Sequence, residues 1–95
     1  MASMKRIETS WLGRLARLVT LDPKHVWVHY RTGHAYRVTG LGRDTKSGDV
    51  LVTYQQLVDI PDTFVRPLGE FLGDVKQDGS KGWEYIPRFS LWETR

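Results

Sequence analysis

Downstream of Pro23 the sequence is divided into short segments in which apolar and polar residues alternate, separated by glycine, proline and aspartate. Alternation with a period of two is typical of β-strands, because successive side chains point to opposite faces of a sheet. The third segment is the clearest, with Val50, Val52 and Tyr54 on one face. The extended segments predicted in this way are residues 26–30, 35–41, 50–58, 64–66, 73–76, 83–86 and 88–91.

Strands this short, joined by tight turns, favour a mainly β fold built as a small, partly open barrel. An SH3-like barrel is the first choice, and an OB-like barrel is the alternative because its size and strand count are close. The 95 residues leave room for one domain with one modest core. We expect residues 1–8 to be a disordered or cloning-derived N-terminus, residues 9–22 a helix, and residues 23–95 the β-barrel domain.

The stretch before Pro23 has helical spacing, because its apolar residues recur at steps of three and four. This pattern predicts one N-terminal amphipathic helix that packs against the β domain. Thr9 or Ser10 is expected to cap its start, and Asp22 followed by proline to end it. Arg14 and Arg17 fall outside the apolar stripe, which consists of Trp11, Leu12, Leu15, Leu18 and Val19.

Composition and charge exclude several kinds of protein. The chain has no cysteine, so disulfides, thiolate metal sites and cysteine nucleophiles are excluded, and a reducing cytoplasm is the expected location. The chain contains no run of about 18 apolar residues, so no membrane-spanning helix is predicted. The net charge of +3 arises entirely in residues 1–20, because residues 21–95 hold ten basic and ten acidic side chains. A neutral body argues against sequence-independent binding of duplex nucleic acid.

Three short motifs combine polar and aromatic residues along this β pattern. Two of them place an arginine, Arg66 or Arg88, beside a proline and close to aromatic residues. A guanidinium held by rigid backbone binds anions and planar groups well, although a salt bridge from Arg66 to Asp62 or Glu70 is the structural alternative. The motifs are His29-Tyr30-x-x-Gly33-x-x-Tyr36-Arg37-Val38, Phe64-Val65-Arg66-Pro67-Leu68-x-x-Phe71 and Pro87-Arg88-Phe89.

Signals for catalysis are absent from the sequence. There is no serine-centred nucleophile motif and no paired-carboxylate spacing, and the three histidines do not have the spacing of a metal site. We therefore expect no enzymatic activity, no cofactor and no bound metal.

The motifs, taken in order, resemble a small bacterial and phage family known only as domain of unknown function 1653. That family's pattern reads H-Y-x-x-G-x-x-Y-x-V, a strand ending in V-x-Y, W-V-R-P-x-x-x-F, and P-R-F. The resemblance covers about two thirds of the chain, from residue 26 to residue 89. Phe64 stands where the family tends to have tryptophan, and the N-terminal helix lies outside the pattern. The resemblance implies a fold and a shared pocket, and it carries no activity with it.

From the motifs we expect a non-enzymatic binding module for a small anionic or nucleotide-like ligand. Because the family occurs in phage, one concrete version is a phage protein that sequesters a host signalling nucleotide. The alternatives are a peptide-binding domain with an aromatic groove, and a binder of single-stranded nucleic acid or RNA. We also expect a homodimer, because short strands leave exposed edges. The candidate ligand-binding residues are Arg66, Arg88, His29, Tyr36, Tyr54 and Phe64.

Overall fold

A computed structural model describes residues 3–79 and 81–94 of the chain. It contains two helices, α1 (Trp11–Leu18) and the single turn α2 (Leu68–Phe71). The strands, in chain order, are β1 (Met4–Ile7), β2 (His25–His29), β3 (Ala35–Arg43), β4 (Val50–Gln56), β5 (Thr63–Pro67), β6 (Asp74–Gly79), β7 (Gly82–Pro87) and β8 (Phe89–Thr94). The fold is therefore mainly β with an N-terminal helix, as the sequence predicts.

Six of the strands form one antiparallel sheet in the order β1-β8-β2-β3-β4-β5, and β6 and β7 form a separate hairpin. The last strand lies between the first two, so pairing of β1 with β8 joins the two ends of the chain. A register shift between Val38 and Gly40 interrupts the pairing of the long strand β3 with β4. Such an irregularity increases the local twist and bend of a sheet. The curved sheet is compatible with a partly open barrel, with β1 and β5 as its edges.

The inner face of the sheet is set by the two-residue alternation and the strand register. Val38 lies opposite Tyr54, and Tyr54 lies opposite Phe64, so their side chains share one face across three strands. Further along the same sheet, His29 of β2 lies opposite Phe89 of β8. The buried core on this face consists of Leu18, Trp27, Val38, Val52, Tyr54, Phe71, Leu72, Phe89 and Leu91.

Helix α1 begins after Ser10, whose hydroxyl accepts a hydrogen bond from the Gly13 amide at 3.1 Å. Leu18 is buried in the core, and Leu15 packs against it. The expected apolar stripe is only partly correct, because Leu12 is exposed and Arg14 is buried. Arg14 lies four residues before Leu18, and residues four apart share a helix face.

Helix α1 also ends earlier than expected. The helix covers Trp11–Leu18, whereas the sequence predicts a helix over residues 9–22. The amide of Leu21 still bonds to the carbonyl of Leu18, and Leu21 has a φ of 52°. A left-handed residue of this kind terminates a helix, so the chain turns before Pro23 is reached.

The expectation of a disordered N-terminus is wrong for Met4–Ile7, which form strand β1 and pair with β8 from Met4 opposite Thr94 to Ile7 opposite Leu91. The free edge of β8 offers backbone partners to this segment, which has no strong β pattern of its own. Met1 and Ala2, which the sequence suggests are cloning-derived, lie outside the described residues. Among the helices that the structure describes, none is long and apolar enough to cross a bilayer.

Candidate functional site

Five of the six predicted site residues line one cavity at the end of the inner face of the sheet. The cavity has a volume of about 190 Å³, and we call it the aromatic cleft. Strands β2, β3, β4 and β5 each supply part of its wall, and Phe89 of β8 is buried at its base. Its lining consists of His29, Thr32, Tyr36, Tyr54, Phe64, Arg66 and Phe89.

The aromatic side chains of the cleft pack edge to face around Phe89. The Tyr36 ring centroid lies 5.7 Å from that of Phe89 at an interplanar angle of 88°, and the Tyr54 centroid lies 5.6 Å from it at 72°. The centroid of the His29 ring lies 5.1 Å from that of Phe89, at an interplanar angle of 81°. Phe64, which is 40% exposed, extends the wall outward from Tyr54. These packed rings leave little rotational freedom, so the cleft is largely formed before any ligand arrives.

The guanidinium of Arg66 is held beside these rings by two partners. Its Nε donates a hydrogen bond to the Tyr54 hydroxyl at 3.2 Å, and its Nη1 lies 3.6 Å from a carboxylate oxygen of Glu70. Its central carbon lies 5.9 Å from the Phe89 ring centroid. The salt bridge that the sequence offers as a structural role for Arg66 is thus present. A guanidinium carries five N–H donors, however, and these two partners engage at most two of them.

Arg88 lies next to the cleft without lining it. Its Nε donates a hydrogen bond to the backbone carbonyl of Glu70 at 3.1 Å, and its backbone bonds to Tyr30 and Gly73. The side chains of both arginines therefore converge on Glu70: Arg66 on its carboxylate and Arg88 on its backbone carbonyl. Arg88 acts on the cleft through its charge and does not touch the cavity.

The pKa of His29 reflects the positive charges around the cleft. Burial lowers the pKa of His29 below its ordinary value of 6.5, and the positive charges of Arg66, Arg88 and Arg31 lower it further. The neutral form of His29 therefore predominates at pH 7. Its Nδ1 accepts a hydrogen bond from the Arg31 amide at 3.2 Å, so the proton of the neutral ring is carried by Nε2, which can donate.

The turn between β2 and β3 holds His29 in place. Gly33 has a φ of 73°, and its amide donates to the His29 carbonyl at 2.9 Å. Only glycine adopts this conformation without strain, which explains the glycine of the first motif. Thr32 in the same turn lines the cleft, although a threonine in a turn carries no sequence signal for that role. Phe89 belongs to the third motif, but it is not among the ligand-binding residues predicted from the sequence.

Comparison with known proteins adds a family and no activity. A family model described as "Protein of unknown function (DUF1653)" matches residues 25–91. Searches of curated proteins and of solved structures each found no match. The matched range includes all six candidate residues, and it leaves out residues 1–24 with the whole of helix α1.

Proposed function

The chain belongs to the DUF1653 family of proteins of unknown function, and we propose that it is a non-enzymatic binding module for a small anionic or nucleotide-like ligand. The observation that carries the proposal is the position of Arg66, whose guanidinium is fixed beside an aromatic cleft. A cation next to stacked rings suits a ligand that combines a negative charge with a planar group.

The electrostatics of the cleft support an anionic ligand. The pKa of His29 is lowered by burial and then by Arg66 and Arg88, which means that the potential at His29 is positive. Glu70 offsets part of this charge, but its side chain is 55% exposed and its field is screened by water. An anion in the cleft would accept hydrogen bonds from unused donors of Arg66 and relieve the positive potential at His29.

The size and walls of the cleft support a planar group. A volume of about 190 Å³ is below the ~300–1,000 Å³ of most small-molecule pockets, so it accommodates one ring system or one anionic group. The half-exposed Phe64 and the ring of Tyr36 offer surfaces on which a base can stack. The remainder of a larger ligand would extend into solvent.

A nucleotide meets both requirements, and signalling nucleotides are the concrete candidates. The family resemblance to phage proteins motivates a version in which the protein sequesters a nucleotide of the host cell. The cytoplasmic location expected from the absence of cysteine is compatible with this role.

A peptide ligand is the second candidate, and strand β5 favours it. This strand is an edge of the sheet, and its residue Val65 is 58% exposed. An extended peptide could pair with the free edge of β5 and place one side chain in the aromatic cleft beside Phe64.

A thermal-shift experiment tests the nucleotide proposal with a small set of probes. AMP, GMP and their 3′,5′-cyclic forms carry both a ring and a charge, adenosine lacks the charge, and inorganic phosphate lacks the ring. A ligand that binds only the native state raises the free energy of unfolding and therefore the melting temperature. The gain is about 2.7 kcal/mol when the ligand concentration is a hundred times the dissociation constant. We expect at least one nucleotide to stabilise the protein more than adenosine or phosphate does.

Two arginine variants connect such a shift to the cleft. Arg66→Ala should abolish the stabilisation, since a charge-assisted contact contributes about 1.5–3 kcal/mol. Arg43→Ala is the matched control, because Arg43 bonds to the Gly48 carbonyl at a hairpin tip and does not line the cleft. A nucleotide shift that survives in Arg66→Ala, or the absence of any nucleotide shift in the intact protein, would contradict the proposal.

A further inference from the structure

A second cavity lies between helix α1, strand β1 and the β6–β7 hairpin. Its volume is about 410 Å³, which is larger than the aromatic cleft and within the range of small-molecule sites. We call it the helix–hairpin cavity. It shares no lining residue with the aromatic cleft, so occupation of one does not require occupation of the other.

Arg14 is buried at this cavity without adequate partners. Its side chain is only 9% exposed, and its Nε and Nη1 atoms have no hydrogen-bond partner among the described residues. Its nearest carboxylate is Asp74, whose Oδ1 lies 3.9 Å from Nη2. That separation is too long for a hydrogen bond. A buried charge without good partners destabilises the fold. Proteins retain such destabilising features at functional sites, so Arg14 indicates a binding site.

The charges around the cavity favour an anion at its inner end. Arg6 also lines the cavity, but its Nε lies 3.4 Å from a carboxylate oxygen of Glu8, so Arg14 is the main source of positive charge there. The two carboxylates of the lining, on Glu8 and Asp74, are 79% and 49% exposed. Water screens these exposed carboxylates more strongly than it screens the buried Arg14. Helix α1 begins at Trp11 with no acidic residue in its first turn, so the partial positive charge of its N-terminus adds to the positive potential there.

Two partly exposed rings, Trp11 and Tyr85, also line the cavity. Trp11 is 42% exposed and Tyr85 is 68% exposed, so both have ring surface available for stacking. The floor is apolar, because Leu72 and Leu91 are buried beneath it. The cavity thus offers a cation at one point and aromatic or apolar surface around it.

From these features we propose that the helix–hairpin cavity is a second binding site, which takes a planar aromatic or heteroaromatic acid through Arg14. The anionic group, a phosphate or a carboxylate, accepts a hydrogen bond from Nη2 of Arg14, the guanidinium nitrogen that is not fully buried. The ring of the ligand stacks against Trp11 and Tyr85. Binding then ties α1 more firmly to the hairpin, where Arg14 and Asp74 form an ion pair of 3.9 Å.

Three probes with one ring in common test the proposal by NMR. Phenyl phosphate and phenylacetate carry the two kinds of anion, and benzyl alcohol is the uncharged control. The readouts are the Nε–H cross-peak of Arg14 and the indole N–H of Trp11. We expect one or both anions to shift these two signals saturably, and benzyl alcohol to leave them unchanged. The anion that binds more tightly identifies the phosphate or the carboxylate as the natural group.

Three variants connect the signals to the site. Arg14→Met should weaken binding about tenfold or more and should raise the melting temperature of the free protein, because it removes a buried unpaired charge. Arg17→Met is the control on the same helix, since Arg17 bonds to the Gly13 carbonyl and does not line the cavity. Tyr85→Ala, at an exposed position, should weaken binding without unfolding the protein.

The proposal is overturned if neither anion moves the Arg14 signal, which would mean that the cavity holds only water. It is equally overturned if Arg14→Met and Tyr85→Ala both bind the anions as tightly as the parent protein does.

Discussion

Helix α1 should be an integral part of the hydrophobic core, and one leucine pair on the helix tests this. Leu18 is 1% exposed and belongs to the core cluster, whereas Leu12 on the same helix is 69% exposed. Replacing each by alanine removes the same atoms from the same helix. The two variants therefore differ only in whether the replaced leucine is buried or exposed.

The expected magnitudes follow from these two environments. Leu18→Ala should lower the free energy of unfolding by about 2–5 kcal/mol, because removing a buried leucine side chain loses its apolar contacts and creates a cavity. For a domain of this size, that corresponds to a fall in melting temperature of roughly 8–40 °C. Leu12→Ala should change stability by no more than about 0.5 kcal/mol, as exposed substitutions generally do.

Urea unfolding followed by tryptophan fluorescence and by far-ultraviolet circular dichroism measures both variants. The two probes should give coincident transitions if the domain unfolds in two states. Equal losses in the two variants, or a loss below about 1 kcal/mol for Leu18→Ala, would refute the placement of α1 in the core.

Three further results are expected. Because burial and the neighbouring arginines lower the pKa of His29, the unfolded chain binds this proton more readily, so stability should fall as pH drops from about 6.5 through the lowered pKa. Chemical denaturation across this range should show a smaller fall in His29→Gln, and an identical fall would contradict the assignment. Tyr54→Phe removes the acceptor of the Arg66 hydrogen bond and should cost about 1 kcal/mol in the same assay, while an unchanged stability would mean that this bond contributes nothing. Light scattering should give twice the 11.0 kDa chain mass if the free edges of β1 and β5 associate, and the single-chain mass would refute a dimer.

The sheet and most of the cleft could be predicted because both depend on local alternation. Tyr54 and Val52 share a face as soon as their segment is recognised as a strand, and the glycine of the first motif marks the turn that holds His29. Once the strands pair in register, residues from separate motifs meet on the inner face. The cleft is a consequence of that register.

What the sequence did not predict depends on contacts between distant parts of the chain. Strand β1 forms because Met4–Ile7 pair with the edge of β8, about ninety residues away in the sequence. These four residues have no clear apolar–polar alternation, so the sequence does not predict the pairing. The burial of Arg14 depends on where α1 docks, because an arginine in a helix is ordinarily expected in solvent. Arg88 belongs to a cleft motif, but its side chain turns to the Glu70 carbonyl instead.

The most direct test of the proposed function is an NMR titration of His29 with and without AMP. Burial lowers the pKa of His29, and the positive charges of Arg66 and Arg88 lower it further. An anion bound beside Arg66 offsets part of this positive charge, so the pKa of His29 should rise when AMP is bound. Adenosine, which lacks the phosphate, should not raise it, and neither should AMP added to Arg66→Ala. A pKa of His29 that stays unchanged at saturating AMP, or that rises equally in Arg66→Ala, would contradict an anion site in the aromatic cleft.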